Sequence, residues 1–233
     1  MEWARIVVRW LAVFAVLHAL PATAADDEQS QPAAASGKLI RVQLPITGNA
    51  DEHIKSSIGR AVDALTGRAT PRDTGRPVLI LEIAPARNSN EYGLGSNFER
   101  ALSLARFLSS DRDLAAVKTV AYVPNSIKGH GVLVAMACEE IVMHPDAELG
   151  EAGADEDLSR PIEPSIVSSY QQIVSARRTV PEAIALGMLE PSLAIHKVET
   201  ENATEFVLSD EVAELEATSS VVSDEVIVPT GSL

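Results

Sequence analysis

The chain has 233 residues, of which 46 % are apolar and 22 % charged. That balance is globular, with room for one ordinary domain or two small ones, and it excludes disorder throughout. Acids outnumber bases 33 to 19 for a net charge of −14, which excludes a general binder of nucleic-acid backbones. The single cysteine, Cys138, excludes an intrachain disulfide and a CxxC zinc site. Aromatic residues at 4 % leave little material for stacking platforms.

Residues 1–24 read as a signal peptide. Arg5 and Arg9 precede or flank an apolar run from Trp10 to Leu20, and Ala22-Thr23-Ala24 supplies small residues for cleavage. The run is about half the ~20 residues of a spanning helix. Cleavage after Ala24 is the expectation, with an uncleaved signal anchor as the alternative. Export to a periplasmic or extracellular space follows, and a lone cysteine suits an oxidising compartment.

Residues 25–37 lack apolar periodicity and read as a linker. Lys38 to Pro45 then alternates as a strand, with Ile40, Val42 and Leu44 on one side. Asp51 to Leu65 places Ile54, Ile58, Ala61, Val62 and Leu65 at helical spacing, with Asn49 or Asp51 available as cap. Pro77 to Ala84 is a continuous apolar run, as in a buried parallel strand. Phe98 to Leu108 is helical again, Val117 to Val123 a third strand, Gly131 to Cys138 a short apolar helix and Ile141 to Met143 a short strand. This alternation implies βαβ units and a mainly parallel sheet with flanking helices. Val78, Leu79, Ile80, Leu81, Val120, Ala121, Val123, Leu133, Val134 and Met136 form the expected core.

After Glu148 the chain turns acidic and rich in breakers. Ile166 to Arg178 and Pro181 to Met188 read as two helices, the second with proline in its first turn. Leu193 to Glu199 and Glu205 to Leu208 fit a hairpin. Residues 209–233 read as an acidic C-terminal tail, which leaves 38–208 as the domain.

Chemistry in such folds gathers at the carboxyl ends of the strands. Two loops stand there: Ala84 to Ser96 with Gly93 and Gly95, and Pro124 to Gly131 with Gly129 and Gly131. The glycines allow close backbone approach, and the N–H groups beyond them form a candidate oxyanion or anion site; glycines serving only a tight turn are the plain alternative.

The order strand PVLILEIA, glycine-containing loop, helix, strand TVAYVP, then GHGVLVAMACEEIVMHPDAELGEAG resembles the Clp-protease/crotonase-like spiral fold. It is most similar to ClpP-class serine proteases of the NfeD type, membrane-bound partners of stomatins. Ala135, Ala137, Cys138, Glu140, Ile141, Met143, Pro145, Ala147 and Gly150 follow that family's spacing, and the resemblance covers roughly residues 38 to 200. It implies self-association into homo-oligomers and a peptide or protein partner, a stomatin-like membrane protein among the choices. NfeD-type chains continue into membrane spans, and no second stretch of spanning length follows here.

Three departures argue against activity at that site. The resemblance aligns Gly129 with the nucleophilic serine, and glycine offers no nucleophile. No lysine lies between Lys128 and Lys197 to act as the family's general base. Tyr170 stands near that distance, but a phenol with pKa near 10 is a poor base. The oxyanion turn Pro-Gly-Gly is replaced by Pro85-Ala86-Arg87.

Other groupings read more plainly. His130 with Ser126 lacks a placed carboxylate, so a turn histidine is favoured. Asp146, Glu148, Glu151, Asp155, Glu156 and Asp157 offer oxygens to calcium but not at EF-hand spacing, so a solvated acidic loop is favoured. Cys138 in an apolar helix reads as a buried, inert thiol. No cofactor and no metal are expected. The sequence therefore points to an exported, degenerate ClpP-class homologue without catalytic residues. Gly129, His130, Gly131, Gly93, Gly95 and Tyr170 line the cleft in which it binds a peptide or partner. An active hydrolase with other catalytic residues and a crotonase-like acyl enzyme are the alternatives, the latter disfavoured by the scarcity of basic residues for coenzyme A.

Overall fold

The computed structural model describes residues 36–67, 75–87, 92–157 and 159–227. The expected signal peptide, the linker up to residue 35 and the last six residues lie outside them. Strand β1 (Gly37–Leu44), helix α1 (Ala50–Thr66), β2 (Val78–Pro85), α2 (Phe98–Ser110), β3 (Lys118–Val123), α3 (Gly131–Met136) and β4 (Glu140–Met143) alternate along the chain. The four strands form one parallel sheet in the order β1-β2-β3-β4, each beside its predecessor. The fold is α/β, as the alternating periods imply.

The sheet is covered on one face. Val42 and Leu44, Leu79, Leu81 and Ile83, and Ala121 and Val123 point from three strands into the core and are buried. Ile58, Ala61, Val62 and Leu65 of α1 and Ala101, Leu102, Leu104, Ala105 and Leu108 of α2 meet them at the expected helical spacing. The other face is half-exposed and carries Leu39, Ile80 and Val120 in one cross-strand row. In the next row Arg41 and Glu82 pair at 3.0 Å. Val78, Ile80 and Val120 are thus only half-buried, which corrects their expected place in the core; a continuous apolar run cannot distinguish a strand buried on two faces from one buried on one.

Neither expected cap of α1 acts as one. Asn49 makes no side-chain cap bond. Asp51 lies inside the first turn, buried, and faces Lys55 at 3.3 Å. Helix α2 is capped by Asn97, whose Oδ1 accepts from the Arg100 N–H at 3.2 Å.

Beyond β4, helices α4 (Pro164–Arg177) and α5 (Glu182–Leu189) pack on the core, followed by β5 (Ile195–Thr200) and β6 (Thr204–Leu208). These strands form the expected hairpin. The acidic stretch after 208 is not a plain tail. It holds a short helix α6 (Val212–Thr218) without buried residues and a strand β7 (Val221–Ile227) that pairs antiparallel with β5. A second sheet results, ordered β6-β5-β7. Its acids are exposed or half-exposed, on both faces of the sheet.

Candidate functional site

The loops after β2 and β3 meet over the end of β1. A Cβ at Gly93 would lie 2.5 Å from the Leu44 Cβ, and one at Gly131 would lie 2.7 Å from the Leu44 Cδ1. Gly93 is therefore held to glycine by the Leu44 Cβ and its own left-handed backbone, and Gly131 packs on the tip of the same leucine, which closes the core beneath the two loops. The Ile46 N–H donates to the buried Ser96 Oγ at 3.0 Å, and the Asn97 N–H to the Ile46 carbonyl at 2.9 Å, fixing the first loop to the end of β1.

Gly95 and Gly129 have positive φ, +100° and +70°, a region open to glycine and costly to other residues. The Gly95 N–H donates to Asp155 Oδ1 at 2.7 Å and the His130 N–H to Asp155 Oδ2 at 2.9 Å. Two backbone donors from separate loops thus hold the two oxygens of one carboxylate. Their geometry is that of an oxyanion receptor whose resident anion belongs to the chain itself. A Cβ at residue 129 would lie 2.6 Å from the Asp155 Cγ and 2.8 Å from its Oδ1, so the missing side chain is what admits the carboxylate.

His130 is buried, with its ring 5.1 Å from that of Phe98. Its Nε2 meets Glu156 Oε1 at 2.8 Å, and its Nδ1 meets the Tyr170 hydroxyl at 3.2 Å. A carboxylate only accepts, so Nε2 donates and the Nδ1 of the neutral ring accepts from the phenol. Burial pushes the Tyr170 phenol far above its ordinary pKa, and the charges of Asp155 and Glu156 push the same way. The hydroxyl stays protonated and acts as a donor, never as a base at neutral pH. Ser126 does not join His130; its Oγ accepts from the Glu148 N–H at 2.9 Å.

The acidic turn that carries Asp155 is tied down at its start. Lys128 Nζ bonds Glu151 Oε1 at 2.6 Å and lies 4.5 Å from the centre of the Tyr92 ring. The hydrogen bond to Glu151 raises the Lys128 pKa, against the opposing effect of burial. Glu151 itself adopts a left-handed conformation at φ 42°, and its carbonyl accepts from the Gly129 N–H at 3.0 Å. Three of the acids read as a solvated loop, Glu151, Asp155 and Glu156, are therefore structural partners of the second loop. Cys138 is fully buried and its thiol is pushed up to about 12 by burial, so it is not a nucleophile.

All six expected cleft residues converge here: Gly93 and Gly131 on Leu44, Gly95 and His130 on Asp155, Gly129 around the same carboxylate, and Tyr170 beneath His130. What residue types alone did not indicate is that Asp155 and Glu156 fill the place between them. A crevice of about 500 Å³ remains open beside the site, lined by Pro85, Tyr92, Pro124, Asn125, Ser126 and His144. A wider groove of about 870 Å³ lies apart from it, between the turn after β1 and helix α2, with Arg100, Ser103 and Arg106 on its wall. Comparison with known proteins yields no matching family model and no matching curated protein, so the site is read from its own geometry.

Proposed function

We propose that the chain is an exported, NfeD-like homologue of the ClpP-class serine proteases, inactive at its former cleft, that binds a peptide or protein partner there. The observation that carries this reading is the Asp155 carboxylate seated on the Gly95 and His130 N–H groups, against a residue 129 that has no side chain. A site with its donors occupied and no nucleophile cannot form an acyl-enzyme. It can still exchange one carboxylate for another. A peptide entering the crevice beside Tyr92 and Ser126 would set its terminal carboxylate on the two N–H groups as the turn 151–156 moves aside. The half-exposed outer face of the sheet, with Leu39 52 % and Val142 42 % exposed, supports self-association. A stomatin-like membrane protein is the partner class that the resemblance suggests.

The test uses a short peptide with a free carboxyl terminus and its amidated twin, followed by the amide resonances of Gly95 and His130. Free-acid binding that strengthens in Asp155→Ala, with no such gain for the amide, is expected. Equal binding of the two peptides in Asp155→Ala, or cleavage of either that depends on His130 or Tyr170, overturns the reading.

A further inference from the structure

A second constellation lies on the small sheet, far along the chain from the cleft residues. In an antiparallel pair, residues directly opposite share a face, and residues two apart on one strand share it as well. His196 of β5 stands opposite Val207 of β6 and Val226 of β7. Ser209, two residues beyond Val207, and Asp224, two before Val226, therefore fall on the face that carries His196, one on each side of it. The side chains meet: His196 Nδ1 lies 2.7 Å from Asp224 Oδ1, and His196 Nε2 lies 3.0 Å from Ser209 Oγ.

We propose that Ser209, His196 and Asp224 form a hydrolytic site for small carboxylic esters, independent of the cleft reading above. The carboxylate only accepts, so the proton of the neutral ring is on Nδ1 and Nε2 is left to accept from the serine hydroxyl. Both separations are within the reach required of a nucleophile, its base and the group that orients the base. The histidine side chain is 15 % exposed and Asp224 33 %, so the base is shielded while Ser209 faces solvent. The second acceptor near the hydroxyl, the Ala194 carbonyl, is more distant at 3.3 Å.

In the reaction Ser209 Oγ bonds to the acyl carbon as its proton passes to His196 Nε2, and Asp224 stabilises the imidazolium. The imidazolium returns that proton to the departing alkoxide, leaving an acyl-serine. Water then attacks the acyl carbon, gives its proton to Nε2, and the carboxylic acid leaves as the serine oxygen regains a proton. The Asp210 N–H, next after the nucleophile, bonds no acceptor among the described residues and is available to the oxyanion. Val226, opposite His196 and 57 % exposed, gives the acyl group an apolar floor. The site is shallow, which limits it to small acyl groups, and Asp210 and Glu211 beside the serine favour esters that carry positive charge.

The full chain is treated with a biotinylated fluorophosphonate, the adduct is mapped by peptide mass, and hydrolysis of p-nitrophenyl acetate is followed in parallel. Labelling of Ser209 is expected, together with a loss of turnover of about 100-fold or more in Ser209→Ala and in His196→Ala. Asp224→Asn is expected to retain fold by circular dichroism and to lower kcat with a shifted pH profile. Absence of label on Ser209, or turnover in Ser209→Ala equal to the unaltered chain, overturns the proposal. A label on Ser126 instead would overturn it and the inactive-cleft reading together, whereas a label on Ser209 leaves that reading untouched.

Discussion

The carboxylate of Asp155 occupies the space in which any side chain at position 129 would have to begin, with its Cγ 2.6 Å from the ideal Cβ position of Gly129. The two residues are 26 positions apart and exclude each other's alternatives. A serine at 129 needs the acid gone, and the acid needs glycine at 129.

Gly129→Ser is expected to lower stability by about 1–3 kcal/mol for the left-handed backbone alone, with the contact to Asp155 adding to it. Adding Asp155→Ala should recover the contact part and leave the backbone part. Urea denaturation of the two single variants and the double variant separates them. A Gly129→Ser chain as stable as the original would show that the two residues do not meet. No variant that carries Gly129→Ser should gain peptidase activity, because no lysine reaches the new hydroxyl and both ring nitrogens of His130 are already engaged, by Glu156 and Tyr170.

Tyr170→Phe removes the hydroxyl that His130 Nδ1 accepts from at 3.2 Å and leaves a buried ring nitrogen unpaired. The expected loss is about 1–3 kcal/mol, read by thermal or chemical unfolding. The nitrogen resonances of His130 should move in the same variant. A neutral effect on both would mean that the phenol and imidazole do not share a hydrogen bond.

Leu81 and Ile80 are neighbours on β2 that face opposite sides of the sheet. Leu81 is fully buried, and Leu81→Ala should cost about 2–5 kcal/mol. Ile80 is half-exposed on the outer face, and Ile80→Ala should cost about 1 kcal/mol or less, as for a partly buried side chain. Equal losses would show that the outer face is covered in solution, as by a second copy of the chain.

Asp51 should govern part of the acid sensitivity. Burial raises its carboxyl pKa, but hydrogen bonds to Lys55 and Ser103 and the charges of Lys55 and Arg100 outweigh it and hold the group below the ordinary value. A carboxylate with a depressed folded pKa stabilises the fold in full above its unfolded pKa and loses that contribution as pH falls through the folded one. The stability gap between the chain and Asp51→Asn should therefore be level from about pH 6 to 8 and shrink below about pH 4, in the ordinary carboxylate range. A gap that widens toward acid would contradict the sign.

The alternation of strand and helix through residue 143, the hairpin and the helices after 163 were legible because each hides apolar groups at its own period. The two loops at the strand ends were legible from their glycines. The partner of those loops was not. Asp155 is one acid among several in a stretch without periodicity, and nothing local distinguishes a carboxylate that finds two backbone N–H groups from one that stays in water. The strand Val221–Ile227 was hidden for a related reason: Asp224 and Glu225 interrupt its apolar residues and mimic a solvated tail. The meeting of Ser209, just past β6, with His196 and Asp224 was illegible for the same cause, since it exists only once that strand is paired.

The parallel sheet is built strictly in order, each strand beside the one before it. A chain emerging from the ribosome can therefore add every strand to a neighbour already made, and no place in the sheet has to be held open for a later segment. Asp155 arrives after the last of these strands. The N–H donors of Gly95 and His130 thus belong to loops of the ordered sheet and their acceptor to a turn beyond it, so that removing the Asp155 carboxylate breaks no strand pair.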